Sequence, residues 1–459
     1  MDVRGKKVLV LGLGDTGLST TRWLARHGAV VSVADTRVDP PHAATLRREL
    51  PAVALVCGEL QAAVLRAADM IAISPGIDRR TPAIAAASAH GVPFVGDVEL
   101  FAQALPHAVP RLPKVVAITG TNGKSTVTQM AGDICAAAGC DTVVAGNIGT
   151  PVLDALTEIE NGRDVPDVFV LELSSFQLET TTSLNADAAT MLNVSEDHLD
   201  RYDGIDDYAA VKANVFIGSG AQIINREDAR SVAMVKSGRD IWSFGTNAPT
   251  GDREWGLASH GGQLSLARGN RALMPVAELP VAGLHNAANA LAASALCHAI
   301  GVDDKAVVDA LRAFKGLPHR VAKVAEIDGV TYYDDSKGTN VGSTVAALLG
   351  FTQPVVLIAG GDGKGQDFVP LREPVRRRAR AVILIGRDRE QIARAIEDTG
   401  VKVERAADMN DAVRMARAAS RNGDAVLLSP ACASYDMFKN YGHRGDVFAA
   451  AVRNEVTRG

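Results

Sequence analysis

The feature that most constrains the fold is a repeated order of a short apolar run, a glycine-containing turn and a helical pattern. The runs include Val8–Leu11, Val30–Ala34, Met70–Ile73, Val115–Ile118, Val168–Leu171, Val355–Ala359, Ala381–Ile385 and Ala425–Leu428. Because they are continuously apolar rather than alternating, they are typical of parallel strands covered by helices on both faces. Helical patterns such as Gly17–His27 and Ser125–Ala138, each followed by glycine, complete βαβ units. The sequence therefore predicts an α/β fold.

Two predicted linkers divide the chain of 459 residues into three α/β units. Pro106–Pro113 contains three prolines, and Gly316–Arg320 precedes an expected hairpin at Val321–Tyr333 that turns at Asp328-Gly329. We therefore expect domains at 1–105, 106–316 and 317–459. The polar, glycine-rich stretch at about 240–275 predicts a small antiparallel annex to the central domain.

Composition excludes several classes of protein. With 48 Lys and Arg against 53 Asp and Glu, and with 4% aromatic residues, the chain has neither the basic field nor the stacking platforms of a nucleic-acid binder. Five cysteines without a CxxC pair favour reduced thiols over a disulfide framework or a zinc site. No apolar stretch approaches about 18 residues and the N-terminus lacks a signal-peptide core, so we expect a cytoplasmic protein without a membrane span. We expect a monomer, because the sequence shows no long apolar helix face beyond those needed to cover the sheets.

The strongest local motif is Val115–Thr126, which has the order strand, glycine loop, Gly-Lys-Ser and helix. Backbone N–H groups of such a loop, with the helix N-terminus behind them, form a cradle for phosphate oxygens. Lys124 would neutralise the β- and γ-phosphates, and the Ser125 hydroxyl would contact Mg²⁺. The loop is a variant, because Ile118 stands where the generic pattern has glycine and Gly120 supplies the glycine instead. The alternative is a tight turn with a solvated lysine. The predicted cradle comprises Gly120, Thr121, Asn122, Gly123, Lys124, Ser125 and Thr126.

A second glycine loop, Gly12-Leu-Gly14-Asp-Thr-Gly17, follows the first strand, and Asp35 ends the next strand. This spacing fits a dinucleotide fingerprint with its ribose-binding acid. Three interpretations are open: a nicotinamide or flavin dinucleotide, another phosphate-bearing nucleotide, or turn geometry alone. A nicotinamide site would also need a hydride acceptor and a catalytic acid, which nothing else in the chain clearly supplies. One chain with both loops suggests ATP and a second, nucleotide-linked substrate.

Polar residues follow several of the predicted strands. Glu172 follows Val168–Leu171, at the C-terminal end of a predicted parallel strand beside the phosphate loop. A carboxylate at that position is suited to hold Mg²⁺. The alternative is a structural acid that caps the next turn. His198, in the polar cluster after the strand at Met191, could ligate metal or orient phosphate, although a lone histidine often does neither. Lys212 lies on a predicted helix, and from this position alone we expect a solvated side chain.

The third unit has three polar loops after strands, at Tyr333–Asn340, Gly360–Gly365 and Ser429–Tyr441. Loops at the carboxyl ends of parallel strands face the ligand crevice. Their hydroxyls, lysines and exposed N–H groups suit a small anionic substrate. Each loop alone could equally be an ordinary turn.

Together these motifs resemble the Mur ligases of peptidoglycan synthesis over nearly the whole chain, and more loosely the folylpolyglutamate synthases. The resemblance is carried by Gly12–Gly17, Asp35–Arg37, Ser74–Gly76, Thr119–Thr126, Gly146–Gly149, the Glu172 segment, Asn193–His198, Leu284–Asn289, Gly316–Arg320, Asp335–Lys337 and Ser429–Tyr441. The last loop is similar to that of the members that add D-glutamate. The Asp-Asn-Pro-Arg motif of the diaminopimelate-adding relative is absent.

The resemblance implies a three-domain α/β fold: a Rossmann-like N-terminal domain that binds a UDP-linked substrate, a central P-loop domain that binds ATP, and a Rossmann-like C-terminal domain that binds an amino acid. The implied activity is ATP-dependent addition of D-glutamate to UDP-N-acetylmuramoyl-L-alanine through an acyl phosphate. ATP and two Mg²⁺ ions are the implied cofactors.

The resemblance also assigns residues to ligands. For the UDP substrate they are Gly14, Thr16, Gly17, Asp35, Thr36, Arg37, Gly76 and Asn147. For ATP, beyond the cradle, they are Asn289, Arg320, Asp335 and Lys337. For metal they are Ser125, Glu172, His198 and, if carbamylated, Lys212; the catalytic set is Lys124, Glu172, His198 and Lys212. For D-glutamate they are Thr339, Lys364, Ser434 and Tyr441. Asp15 departs from the pattern by adding a charge to the first glycine loop, and we expect it to point to solvent.

Overall fold

The computed structural model describes residues 2–281 and 283–456, which form two compact units. The first comprises Met1–Leu192, Tyr208–Phe244 and Ala292–Ala310. The second comprises Asn193–Asp207, Gly245–Leu291 and Leu311–Gly459. The described residues form three sheets, which are dominated by parallel pairs, as the continuous apolar runs predict.

The first unit begins with a parallel sheet in the order β3-β2-β1-β4-β5. Its strands are β1 (Lys7–Leu11), β2 (Val30–Asp35), β3 (Ala54–Cys57), β4 (Met70–Ile73) and β5 (Phe94–Val95). Its helices are α1 (Asp15–Arg26), α2 (Ala43–Glu49), α3 (Ala62–Arg66), α4 (Pro82–Ala89) and α5 (Asp97–Ala108). The glycine loop after β1 and the carboxyl end of β2 therefore lie at one edge of this sheet.

A second group of parallel strands in the first unit has the order β11-β10-β9-β6-β8-β7. The strands are β6 (Lys114–Thr119), β7 (Thr142–Gly146), β8 (Val168–Glu172), β9 (Ala188–Met191), β10 (Ala221–Asn225) and β11 (Ile241–Phe244). The helices of this unit are α6 (Lys124–Ala137), α7 (Val152–Glu160), α8 (Ser175–Leu178) and α10 (Ala229–Ala233). Three further helices, α9 (Ile205–Lys212), α11 (Leu284–Ala299) and α12 (Asp304–Ala313), have residues in both units. A 3₁₀ turn follows α9 at Ala213–Phe216.

The second unit contains an antiparallel run and a six-stranded sheet. The antiparallel strands are β12 (Glu254–His260), β13 (Gln263–Arg268) and β14 (Arg271–Pro275), followed by a 3₁₀ turn at Val276–Glu278. The larger sheet, in the order β15-β16-β20-β17-β18-β19, comprises β15 (Ala322–Ile327), β16 (Val330–Asp334), β17 (Val355–Gly360), β18 (Ala379–Ile385), β19 (Lys402–Arg405) and β20 (Ala425–Leu428). Its helices are α13 (Val341–Gly350), α14 (Arg372–Arg378), α15 (Arg389–Ala395), α16 (Met409–Ala419) and α17 (Tyr441–Val456), with 3₁₀ turns at Val369–Leu371 and Glu397–Thr399.

The expected hairpin is present as β15 and β16. Its two turn residues, Asp328 and Gly329, both have positive φ, at +52° and +74°. This is the conformation of a two-residue type I′ turn, which matches the twist of the flanking strands. The Asp-Gly pair therefore predicts the connection correctly.

Two sequence expectations need correction. Pro106 was expected in a linker but lies inside α5, near its C-terminus, where its missing N–H costs a single backbone bond; the chain leaves the helix only after Ala108. The antiparallel annex begins at Glu254 rather than near 240, because β11 pairs in parallel with β10. The domain limits near 105 and 316 stay a prediction.

Candidate active site

The Gly-Lys-Ser loop joins β6 to α6, the context that the sequence predicts. Gly123, the residue before the helix, has a φ of +84°, which glycine adopts without strain. The helix that begins at Lys124 has 14 residues, and its first N–H groups lie at the carboxyl end of the parallel strands. This arrangement provides an anion cradle of the kind that binds phosphate.

Two lysines converge on the carbonyl oxygen of Gly120. Lys124 Nζ lies 2.8 Å from that oxygen and 2.9 Å from the Thr121 carbonyl oxygen. Lys212 Nζ lies 3.0 Å from the Gly120 oxygen, and it sits 4.6 Å from the centre of the Tyr208 ring. Lys212 is only 1% exposed, so the expectation of a solvated lysine at this position is wrong. Helix α9 carries its side chain inward, beneath the phosphate loop.

Glu172 ends β8, next to the strand that carries the phosphate loop, and it is buried. Its Oε1 accepts a hydrogen bond from Asn147 Nδ2 at 2.7 Å. Among the described residues, no group provides a hydrogen bond to its Oε2. A buried carboxylate oxygen without a partner is costly, and a hard cation is the ligand that would satisfy it.

The surroundings of Glu172 fit Mg²⁺ bound partly through substrate. Ser125, the other first-unit residue expected at the metal, is buried in the first turn of α6. Within residues 2–281 and 283–456, no three His, Cys, Asp or Glu side chains form a metal-binding group by themselves. Mg²⁺ commonly takes one or two carboxylates and completes its shell with water and phosphate oxygens. The donors present are of that kind.

The first glycine loop borders a cleft of about 600 Å³. The cleft is lined by Gly14, Asp15, Thr16, Gly17, Asp35, Thr36, Arg37, Ser74, Pro75, Gly76, Ile77, Gly146, Asn147, Gly149, Pro151 and Gln177. All eight residues expected to contact the UDP substrate are in this set. Asn147 therefore lines this cleft and also binds Glu172, which ends the strand next to the one that carries the phosphate loop.

The carboxylate of Asp35 is occupied by protein groups. It accepts hydrogen bonds from the Leu13 N–H at 2.7 Å and from Arg37 Nε at 2.8 Å. Burial acts to raise the pKa of Asp35, but the bonds from Arg37 and Leu13 outweigh burial and hold that pKa below its ordinary value. These bonds hold the Asp35 carboxylate in place at the end of β2. Asp15 points to solvent as expected, and His42 Nε2 lies 2.7 Å from its carboxylate.

In the second unit, Arg320 lies in a strained segment. Its neighbours His319 and Val321 both have positive φ, at +61° and +49°, and this conformation is unfavourable for the β-branched Val321. Such strain is concentrated at ligand-binding sites. His285 lies in the first turn of α11. Burial, reinforced by the nearby charge of Arg320, lowers the pKa of His285 to about 4, so its imidazole is neutral at neutral pH. Asn289, one turn further along α11, donates to Asn286 Oδ1 at 3.2 Å.

Asp335 and Lys337 lie in the loop after β16. Burial raises the pKa of Asp335 to about 7, although the Ser429 hydroxyl at 2.7 Å and the charge of Arg320 oppose that shift. The Lys337 backbone N–H donates to the His319 carbonyl oxygen at 3.1 Å, and its Nζ lies 5.3 Å from the centre of the Tyr441 ring. The structure therefore brings Arg320, Asp335 and Lys337 together.

The three polar loops of the C-terminal sheet follow β16, β17 and β20, which are adjacent strands. The residues expected at D-glutamate lie on them: Thr339 on the first, Lys364 on the second, Ser434 and Tyr441 on the third. Asp362 and Ala433 exchange backbone hydrogen bonds of 3.0 and 2.8 Å, which link the second loop to the third.

Arg444 joins the first loop to the third, and sequence reasoning did not identify it. Its guanidinium is fully buried and donates to Ser336 Oγ at 2.9 Å, to the Ser336 carbonyl oxygen at 2.8 Å and to the Cys432 carbonyl oxygen at 3.0 Å. Burial lowers the pKa of Arg444 to about 10, so it stays charged at neutral pH. No local pattern marks an arginine in a helix as buried.

His198 lies next to a buried acid, Asp197, in the second unit. The backbone φ of His198 is +56°, and its Nε2 is 3.7 Å from Asp197 Oδ2. Asp197 also binds Lys364 Nζ at 2.9 Å. Burial acts to raise the pKa of Asp197, but the charges of Lys364 and His198 outweigh it and leave the pKa below its ordinary value.

The site residues are divided between the two units. The first contains Lys124, Ser125, Glu172, Lys212 and the residues of the cleft at the first glycine loop. The second contains His198, Asn289, Arg320, Asp335, Lys337, Thr339, Lys364, Ser434 and Tyr441. The five cysteines are free thiols in the described part of the chain. Over residues 2–281 and 283–456, the helices are too short or too polar to cross a membrane.

The parallel sheets and the Gly-Lys-Ser phosphate loop define an α/β protein of the P-loop class. Three family models match consecutive parts of the chain: the Mur ligase MurD-like N-terminal domain at 6–96, the Mur ligase middle domain at 118–297 and the Mur ligase glutamate ligase domain at 319–432. The chain belongs to the Mur ligase family.

Individual relatives agree with this assignment. A UDP-N-acetylmuramoylalanine–D-glutamate ligase of Thiobacillus denitrificans is 57% identical, with 99% of this chain and 97% of the relative covered. The ligase of the same name from Methylobacillus flagellatus is 56% identical, with 98% of each chain covered. Among solved structures, UDP-N-acetylmuramate–alanine ligase of Thermotoga maritima has a TM-score of 0.61 at 17% identity, with 98% of this chain and 100% of that chain covered, which supports the fold.

Proposed function

We propose that this chain catalyses the ATP-dependent addition of D-glutamate to UDP-N-acetylmuramoyl-L-alanine, a cytoplasmic step of peptidoglycan precursor synthesis that releases ADP and phosphate. The observation that carries the proposal is identity above 50% with ligases of this name over nearly the full length of both chains. The phosphate loop, the buried Glu172 and the nucleotide cleft are the parts that such a reaction requires.

The chemistry begins with a carboxylate that is unreactive at neutral pH. An oxygen of the L-alanine carboxylate attacks the γ-phosphorus of ATP, the bond to the β,γ-bridging oxygen breaks, and ADP leaves. The resulting acyl phosphate is attacked by the neutral amine of D-glutamate. The tetrahedral intermediate collapses, expels phosphate and loses the amine proton, which leaves an amide.

Charge neutralisation is the main catalytic task because two polyanions must meet. We assign Lys124 and the N–H groups of Gly120–Thr126 to the ATP phosphates, and Arg320, Asn289, Asp335 and Lys337 to the rest of the nucleotide. Glu172, Ser125 and His198, with Lys212 if it is carbamylated, are the residues that would hold Mg²⁺. When bound, Mg²⁺ supplies positive charge to the phosphate oxygens.

The remaining residues position the two other substrates. We assign the cleft around Gly14, Thr16, Gly17, Asp35, Thr36, Arg37, Gly76 and Asn147 to the UDP-linked substrate, and Thr339, Lys364, Ser434 and Tyr441 to the carboxylates of D-glutamate. We further propose domain limits of 1–105, 106–316 and 317–459, which the positions of the three family models support.

The test is an omission experiment with the purified protein. Phosphate release and product mass are measured with ATP, Mg²⁺, UDP-N-acetylmuramoyl-L-alanine and D-glutamate together, and with each omitted in turn. We expect ligation product and phosphate in equal amounts, and only in the complete mixture. Full-rate phosphate release from ATP alone would indicate a stand-alone ATPase. Nucleotide binding without product would indicate a regulator, and a change in NADH absorbance would indicate a dehydrogenase.

A matched pair of lysine variants tests the phosphate loop in the same assay. Lys124→Ala removes the ammonium beside Gly120 and should lower the rate by about 10²-fold or more. Lys114, at the opposite end of β6, is exposed and paired with Asp187, so Lys114→Ala should leave the rate nearly unchanged. Equal rates for the two variants would contradict the assignment of Lys124.

A further inference from the structure

The carboxylate of Asp197 is buried between two residues that are distant from it in the chain. Lys364 Nζ lies 2.9 Å from Oδ1, and Asn340 Nδ2 lies 3.2 Å from Oδ2. The backbone N–H of His198 also donates to Oδ1, at 3.0 Å. Asp197 is 6% exposed, and both of its carboxylate oxygens accept hydrogen bonds from protein groups.

Asn340 connects Asp197 to the start of α13. Its Oδ1 accepts the backbone N–H of Ser343 at 2.9 Å, which caps the helix, while its Nδ2 donates to Asp197. Thr339 directly precedes this cap. The N-terminus of a helix favours anions because its N–H groups point outward. Asp197 therefore holds the cap residue beside a position that we assign to the substrate carboxylates.

The loop that carries Lys364 is tied to the same helix. Gln366 Oε1 accepts the Val341 N–H at 3.0 Å, and Gln366 Nε2 donates to the Gly363 carbonyl oxygen at 2.9 Å. Lys364 itself has a φ of +52°, outside the conformations that lysine prefers. The ammonium has three N–H groups, of which Asp197 engages one, and the side chain is 19% exposed. It is held in place while still able to donate outward.

We propose that Asp197 is a positioning residue for D-glutamate: it fixes the Lys364 ammonium and the capped start of α13 in the arrangement that receives a substrate carboxylate. This inference rests on the proposed function. A long, flexible lysine that is ordered before binding spares the substrate the cost of ordering it.

The sign of one kinetic effect separates positioning from simple electrostatics. A carboxylate beside Lys364 also cancels part of its charge, so if net charge alone governed binding, Asp197→Asn would lower the KM for D-glutamate. If Asp197 positions Lys364, the same substitution should instead raise the KM for D-glutamate. We expect Asp197→Asn to raise the KM for D-glutamate about tenfold or more, with the KM values for ATP and the UDP substrate and the Mg²⁺ dependence within about twofold of wild type.

A matched control removes a comparable carboxylate elsewhere. Asp424 is buried and accepts from Arg380 Nη2 at 2.9 Å, at the start of β20, the end opposite the polar loops. Asp424→Asn should lower the melting temperature while it leaves the KM for D-glutamate unchanged. A KM for D-glutamate that is unchanged or lower in Asp197→Asn, or an equal rise in all three KM values, overturns the proposal.

Should Asp197→Asn fail to fold, Asn340→Ser tests the same link. Serine still caps α13 but is too short to reach Asp197, so only one anchor of the carboxylate is lost. We expect its KM for D-glutamate to rise about threefold or more, and no rise overturns the proposal. A wild-type enzyme without ligase activity refutes the proposed function and this inference together, whereas an active wild type with insensitive variants refutes only the inference.

Discussion

Asn147 and Glu172 form a hydrogen bond of 2.7 Å between the ends of two adjacent strands, β7 and β8. Asn147 engages one carboxylate oxygen, and within the described residues the other oxygen, though buried, has no hydrogen-bond partner. The pair thereby leaves one buried carboxylate oxygen that we propose binds Mg²⁺. Because Asn147 also lines the cleft at the first glycine loop, this contact links that cleft to Glu172.

The first prediction concerns that oxygen. Glu172→Gln keeps the shape but removes the charge that would bind Mg²⁺, so kcat should fall by about 10²-fold or more and half-saturation should require more Mg²⁺. Phosphate release over a Mg²⁺ titration measures both. Glu158→Gln, on the exposed face of α7, is the matched control and should behave as wild type. An unchanged Mg²⁺ dependence in Glu172→Gln would contradict a metal role.

The second prediction concerns the chemical state of Lys212. A buried ammonium next to Mg²⁺ would repel it, whereas a lysine carbamate offers oxygen ligands. Activity should rise with bicarbonate in wild type, and intact-protein mass spectrometry in bicarbonate should detect one added carbamate. Lys212→Arg keeps a positive charge but cannot form the carbamate, so it should be inactive and insensitive to bicarbonate. Full activity of Lys212→Arg would show that the reaction does not require the carbamate.

The third prediction is a pH dependence of stability set by Asp335. Its pKa in the folded protein is about 7, against an ordinary value of 3.8. Between those values the folded state binds a proton that the unfolded state lacks, so this group makes the free energy of unfolding fall as pH rises.

Asp335→Asn lacks this titration, so its stability relative to wild type should increase from pH 5 to pH 8. Urea denaturation of both proteins, without nucleotide, at the two pH values measures the difference. Asp424→Asn provides a control of opposite sign, because Arg380 holds the pKa of Asp424 below its ordinary value against the effect of burial. A constant difference between Asp335→Asn and wild type would contradict the elevated pKa.

The fourth prediction concerns Arg444, which bridges the Ser336 and Cys432 loops. Arg444→Lys cannot reproduce the guanidinium fork and leaves buried carbonyl oxygens without donors, at about 1–3 kcal/mol each. We expect the free energy of unfolding to fall by about 3 kcal/mol and the KM for D-glutamate to rise. Arg453→Lys, at an exposed position of the same helix, should change neither. Urea denaturation measures the free energy of unfolding of both variants. Equal values for Arg444→Lys and Arg453→Lys would contradict a bridging role for Arg444.

The sequence predicts much of the fold because parallel strands buried on both faces are continuous apolar runs. Met70–Ile73 and Ala425–Leu428 are strands with those limits, and the other runs differ from their strands by one or two residues at one or both ends. Pro106 was misplaced since a proline near the C-terminus of a helix resembles a linker proline. The phosphate loop was recognisable because its chemistry lies within one short segment.

The contacts that organise the rest of the site join residues that are far apart in the chain. Lys212 lies under the phosphate loop, Arg444 bridges two loops and Asp197 holds Lys364, and none of these contacts has a local sequence pattern. Burial of a charged side chain depends on the partner that compensates it. Such partners become visible only in the folded chain.

The central claim is that ATP activates the carboxylate of the UDP-linked substrate. Substrate labelled with ¹⁸O in its L-alanine carboxylate tests this directly, because an acyl phosphate transfers one carboxylate oxygen to the released phosphate. We predict one ¹⁸O atom per phosphate formed, by mass spectrometry, from fully labelled substrate in the complete reaction. Phosphate without label, released at the rate of amide formation, would contradict the account.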